Sequence, residues 1–198
     1  AGYTHLAFRT ALREIGGPFE IEKVDTAAQK TDGGQDFSAI NPKGYVPVLH
    51  LDSGETLTEG AAILQYLADA NPGAGLAPKP GTLERTRVQE HLNYVASELH
   101  KAFSPLFATP PLKGEARAAA EAKIARRMQY FEDLLSDGRD YLLGKTFSVA
   151  DTYLFVVANW AKPTGIGLER WPHVAAFVDR VGQRKATQDA MRAEGLIQ

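Results

Sequence analysis

Residues 73–81 hold three glycines and two prolines, and the hydrophobic patterning differs in kind on either side of them. Gly and Pro interrupt both helix and strand, so this stretch separates two packing units. Residues 1–74 mix short helical and strand-like pieces with many turn residues. Residues 82–198 carry long helical stripes with few β-branched runs. The expectation is an α/β unit over 1–74, a linker over 75–81 and an all-helical unit over 82–198. A chain of 198 residues is long enough for two small domains.

In the first unit, Leu6, Ala7, Thr10, Ala11 and Leu12 fall at helical spacings, and Gly16-Gly17-Pro18 ends that helix. Phe19, Ile21 and Val24 alternate with charged residues, the pattern of a strand with one buried face. Thr31 to Gln35 is polar and Gly-rich, hence a loop. Asn41-Pro42-Lys43-Gly44 is a turn, since Pro fixes φ and Gly tolerates positive φ. Val46–Leu51 and Thr56-Leu57 flank Asp52-Ser53-Gly54-Glu55 and predict a hairpin. Thr58 is the expected N-cap of a helix with Ile63, Tyr66, Leu67 and Ala70 inward, closed by Asn71-Pro72-Gly73.

In the second unit, Val88, Leu92, Val95 and Leu99 form one stripe, broken after by Pro105, Pro110 and Pro111. Ile124, Met128, Phe131 and Leu135 form the next. Ser148-Val149-Ala150-Asp151 has the form of a capping box, with Phe147 as the expected hydrophobic staple. Its helix carries Tyr153, Leu154, Val157 and Trp160. Trp171-Pro172 opens a last main helix with Val174, Phe177, Val178 and Val181 inward.

Composition narrows the function. Lys plus Arg number 22 against 24 Asp plus Glu, a net charge of −2, which argues against a nucleic-acid platform. No apolar run is long enough to span a bilayer, so no membrane partner is expected. There is no Cys, which removes disulfides, thiolate metal ligands and a protein thiol nucleophile together, and no metal site is expected. No signal-peptide pattern opens the chain, which suits the cytoplasm.

Three local sequences suggest chemistry. In Tyr45-Val46-Pro47-Val48 the Val46-Pro47 bond is a candidate cis peptide, which would turn the N–H and C=O of Val46 toward a ligand; a trans Pro at a strand edge is the ordinary reading. Thr58-Glu59-Gly60 opens a helix whose free N–H groups and positive dipole end suit a carboxylate, while Glu59 could accept from an ammonium. Together they would hold an α-amino acid head group; ordinary capping explains the same residues. Glu98-Leu99-His100-Lys101 reads by itself as a solvated face beside the core stripe.

In order and spacing, NPKGYVPV (41–48), TEGAAILQYLAD (58–69), LNYVASELHKAFSPLF (92–107) and TFSVADTYL (146–154) resemble the glutathione transferases, the ELHKAFSPLF stretch pointing to the bacterial beta class. The resemblance implies a thioredoxin-like N-terminal domain, an all-α C-terminal domain, a homodimer and one glutathione site per subunit. It implies that Val46, before a cis Pro47, binds the cysteinyl backbone of glutathione, that Tyr45 and Pro47 belong to the glutathione site, and that Glu59 and Gly60 hold the γ-glutamyl head. Asn93, Ser97, Glu98 and His100 fall on family contact positions, some reaching the partner's glutathione. The family's basic contact to the glycyl carboxylate falls at Gln29, uncharged here, with Lys30 beside it. The Ser148/Asp151 box is structural in the family.

The chain departs from the beta-class pattern at its start. Thr4 stands where that class has its Cys and His5 where a Ser is usual, with Tyr3 just before. Too few residues precede Thr4 for the expected first strand, which suggests that native residues precede Ala1. Without Cys, a mixed disulfide with glutathione is excluded, and the thiol must be activated by a hydrogen-bond donor. The candidates are Thr4, His5 and Tyr3, with His100 further out. The implied activity is transfer of glutathione to small hydrophobic electrophiles, in a pocket lined by Phe103, Phe107 and Trp160. The alternatives are a non-catalytic binder of glutathione or apolar ligands on the same fold, or a glutathione-dependent isomerase or dehalogenase.

Overall fold

The computed structural model describes residues 5–198. The order is α1 (His5–Ile15), β1 (Val24–Asp25), β2 (Lys30–Thr31), α2 (Phe37–Ile40), β3 (Val48–His50), β4 (Thr56–Thr58) and α3 (Gly60–Ala70), then α4 (Leu83–Tyr94), α5 (His100–Phe103), α6 (Gly114–Leu135), α7 (Val149–Asn159), α8 (Pro172–Gly182) and α9 (Lys185–Ala193). An α/β part thus precedes a helical part, the architecture that the resemblance implies.

The hairpin forms as expected, with Val48 opposite Thr58 and His50 opposite Thr56 in antiparallel register. The strand expected over Phe19–Val24 is much shorter. Only Val24 and Asp25 pair, with Thr31 and Lys30, and Ile21 is 44% exposed. Apart from Lys23 O, which accepts from Asp32 N–H at 2.9 Å, the alternation before Val24 has no strand partner among the described residues. Lys30 and Thr31 supply the pairing strand, although Thr31 is expected to open a loop.

α1 buries Leu6, Ala7, Phe8, Thr10 and Ala11. α3 buries Ile63, Leu64, Leu67 and Ala68, so its inward stripe is rotated from the expected one and Tyr66 lies outward. Both helices pack with α7, whose ten residues from Val149 to Ala158 are all buried. A helix buried around its whole circumference belongs in the centre of a bundle, and α7 occupies that place. Leu76, inside the Gly/Pro stretch, is buried and its carbonyl accepts from Val149 N–H at 2.9 Å.

The capping box of α7 is complete. Asp151 Oδ2 accepts from Ser148 N–H and Ser148 Oγ, each at 2.8 Å, and Oδ1 accepts from Leu142 N–H at 2.8 Å. Burial pushes this carboxyl up to about 6 against the donated hydrogen bonds that pull it down. Phe147 stands one residue before the cap, and the residue one turn into the helix is Thr152. Phe147 packs edge-on to Tyr141, under the guanidinium of Arg184 at 3.8 Å.

α8 is not the last helix. α9 follows it and lies along α1, where Glu194 accepts from His5 Nε2 at 2.7 Å and pairs with Arg9.

Candidate glutathione site

The turn Asn41-Pro42-Lys43-Gly44 is built by its own polar groups. Asn41 Oδ1 accepts from Lys43 N–H at 3.1 Å, Asn41 Nδ2 donates to Tyr45 O at 2.7 Å, and Gly44 takes φ of 69°. The turn delivers Tyr45 and Val46, each 44% exposed, ahead of a ladder that starts at Val48. The Val46–Pro47 peptide is cis. Val46 therefore sits at the protein surface with its backbone outside the β3–β4 pairing.

The start of α3 lies against that turn. The helix begins at Gly60, and its cap position is Glu59, not Thr58. Thr58 ends β4, and its hydroxyl accepts from Lys43 Nζ at 2.8 Å. Glu59 makes no side-chain bond to the helix it precedes, and its backbone takes φ of 66°, a region unfavourable for any residue with a Cβ. Its Oε1 accepts from Lys43 Nζ at 2.8 Å and from Tyr45 Oη at 2.5 Å. These two donors hold its carboxyl below the ordinary carboxylate range, and Lys101 adds to the effect. Lys43 and Tyr45 thereby join the turn and the helix N-terminus into one surface, with an ionised carboxylate at its centre.

Gly60 fits there because it lacks a Cβ: one would stand 3.1 Å from Phe8 Cζ and 3.7 Å from Tyr153 Oη. The hydroxyl of Tyr153 bonds in turn to His100 Nδ1 at 2.9 Å. His100 is half-buried and meets Trp160 edge-on, with centroids 4.7 Å apart. Burial pushes its imidazole down to about 4 and the Tyr153 phenol up to about 12. The reading of His100 as a solvated residue is therefore corrected. A π turn over Val95–Leu99 resets the helical phase, so His100 and Phe103 both turn toward Trp160.

The other expected site residues fall as follows. Gln29 commits its amide N–H groups to Thr26 O at 2.6 Å and Gly44 O at 2.9 Å, with φ of 52°. It braces the turn, while Lys30 beside it is exposed. Asn93 and Ser97 are exposed on α4 and the π turn, and Glu98 accepts from Arg127 Nη2 at 2.7 Å. His5 meets Glu194, whereas Tyr3 and Thr4 lie outside the described residues. Of the three aromatic residues expected to line a substrate pocket, Phe103 and Trp160 are buried in the core and Phe107 alone presents surface. Lys43 and Tyr153 escaped sequence reading. Lys43 looked like a turn residue, and Tyr153 like one more member of an apolar helix.

Known proteins resemble this chain in sequence and in overall fold. Residues 7–70 match the family model described as glutathione S-transferase, N-terminal domain, and residues 94–185 match glutathione S-transferase, C-terminal domain. The chain is 42% identical over 195 residues to glutathione S-transferase GstA of Escherichia coli O157:H7, covering 98% of this chain and 96% of that protein. A sphingomonad glutathione S-transferase solved in complex with glutathione superposes with a TM-score of 0.92 at 47% identity, covering 99% of this chain and 96% of that one. The bacterial beta-class glutathione S-transferase of Sphingomonas chungbukensis gives a TM-score of 0.92 at 46% identity, with the same coverage. The chain belongs to the glutathione S-transferase family.

Proposed function

We propose that the chain is a glutathione transferase whose tripeptide lies across the Val46 backbone and the N-terminus of α3. The observation that carries this reading is the Lys43–Glu59–Tyr45 cluster, which makes one binding surface of two segments separated in sequence. Glu59 receives the α-ammonium of the γ-glutamyl group, and the free N–H groups of α3 from Gly60 onward face its α-carboxylate. The exposed backbone of Val46 pairs with the cysteinyl unit as a strand edge would. Lys30 is the cation available to the glycyl carboxylate, since Gln29 is committed to the turn. Asn93, Ser97 and Glu98 border the site across a homodimer.

The chain has no Cys, so the nucleophile is the thiol of glutathione itself. Free, with a pKa near 8.5, such a thiol is only about 3% ionised at pH 7. A donor that favours the anion by roughly 2.7 kcal/mol lowers the pKa by about two units and makes thiolate the main species. Thr4 is the proposed donor, with His5 and Tyr3 beside it. The thiolate then attacks an electrophilic carbon. With an aryl or alkyl halide a C–S bond forms and the halide leaves with the bonding pair. With an unsaturated carbonyl, sulfur adds to the β-carbon and the α-carbon takes a proton.

A pH titration of thiolate ultraviolet absorbance in the glutathione-saturated protein tests this reading. The expected thiol pKa is about two units below that of free glutathione. An unshifted pKa in a saturated complex would leave a glutathione-binding protein without transferase chemistry. Thr4→Ala is expected to raise the bound pKa and lower kcat. No change on Thr4→Ala would pass the role to His5 or Tyr3.

A further inference from the structure

His100 and Tyr153 come from different helices of the second unit and meet beside the first residue of α3. Tyr153 is 4% exposed, and its hydroxyl has His100 Nδ1 as its hydrogen-bond partner among the described residues. A hydroxyl in that position must place its one proton. If Nδ1 carried hydrogen and donated to the phenol, the phenolic proton would be buried without an acceptor, a loss of about 1–3 kcal/mol. If the phenol donates to a bare Nδ1, both atoms are satisfied. The proton of the neutral imidazole then sits on Nε2, which makes no hydrogen bond to the protein among the described residues. The ring itself cannot flip freely, because its face and edge are held by Trp160 at 4.7 Å and Tyr153 at 6.1 Å, both nearly perpendicular.

We propose that Tyr153 is a positioning residue, which fixes His100 in the neutral Nε2–H tautomer and so makes it a permanent hydrogen-bond donor rather than a proton acceptor in the glutathione site. The low affinity of the buried ring for a second proton agrees with a neutral imidazole at physiological pH. A donor beside the N-terminus of α3 favours an anion, whether sulfur or carboxylate, and a base there would not. The catalytic consequence rests on the transferase reading; the tautomer itself does not.

The test uses long-range proton–nitrogen correlation spectra of histidine-labelled native protein at pH 7, with the His100 signals identified by their loss in His100→Gln. The expected pattern has a protonated Nε2 and an unprotonated Nδ1. The opposite tautomer, or an equal mixture, in the native protein overturns the proposal. In Tyr153→Phe, which keeps the ring packing, the expected result is a mixed tautomer, with kcat for conjugation reduced about tenfold and KM for glutathione changed less than twofold. A tautomer unchanged by Tyr153→Phe also overturns it. If the tautomer is as proposed but no conjugation occurs in the native protein, the positioning stands and the transferase reading fails.

Discussion

Two helix N-termini in this molecule begin from similar sequence signals and end in opposite states. At α7, Ser148 and Asp151 close the box: the carboxylate is fully buried and takes three hydrogen bonds, all from the adjoining backbone and Ser148. At α3, Glu59 caps nothing. Its side chain turns away from the helix to Lys43 and Tyr45 and is more than half exposed, and its backbone holds a positive φ. The first arrangement uses its donors for folding. The second leaves them for something else, at a local cost in backbone energy of the kind found at binding sites. A carboxylate beside a helix start is therefore informative only once its partners are known.

The sharpest break of this contrast is a pair of alanine variants. Asp151→Ala strands three buried donors and is expected to lose about 3 kcal/mol or more in urea unfolding. Glu59→Ala is expected to change stability by less than about 0.5 kcal/mol while weakening glutathione binding at least tenfold. Equal stability losses would mean that the two termini are structural alike. A smaller effect comes from Glu59→Gly, which relieves the left-handed backbone. It is expected to raise stability by about 1 kcal/mol and still weaken glutathione binding, a separation of stability from function at one position.

The pH dependences of the two termini have opposite signs. Asp151 has a folded-state pKa raised from 3.8 to about 6. Its contribution is greatest below pH 4 and is lost as the pH rises through 6, so the penalty of Asp151→Asn should shrink between pH 4 and 7. Glu59 has a lowered folded-state pKa, from 4.5. Its contribution is present above pH 4.5 and lost on acidification, so any penalty of Glu59→Gln should vanish at low pH. Urea melts of both variants at pH 4, 5.5 and 7 compare the slopes, and slopes of the same sign would contradict the contrast.

The sequence made much of this fold legible where packing is local. The stripes Val88–Leu92–Val95–Leu99 and Ile124–Met128–Phe131–Leu135 are buried as their spacing implies, and the Ser148/Asp151 box closes within four residues. α9 was hidden because it covers α1 with Thr187 and Ala190, residues too small to draw a stripe. The Phe19–Val24 alternation was legible but not its pairing, since a strand needs a partner that alternation alone does not name. At the site, Glu59 stood out by chemistry, whereas Lys43 and Tyr45 reach it across 14 to 16 residues of hairpin. Taken without the resemblance, His100 reads as a solvated residue, because one π turn changes where a residue points and no pattern in Val95–Leu99 announces that turn. Tyr153 lies in a run that is buried on every side, where a hydroxyl-bearing residue looks like one more core ring.

The central claim is that Glu59 holds the ammonium of glutathione, and calorimetric titration tests it with glutathione and an analogue lacking the α-amino group. The native protein should bind the analogue at least tenfold more weakly than glutathione. In Glu59→Gln the two ligands should bind within about twofold of each other, because the pairing that told them apart is gone. If Glu59→Gln still prefers glutathione by the native margin, the ammonium is held elsewhere and the open terminus of α3 is not the head-group site.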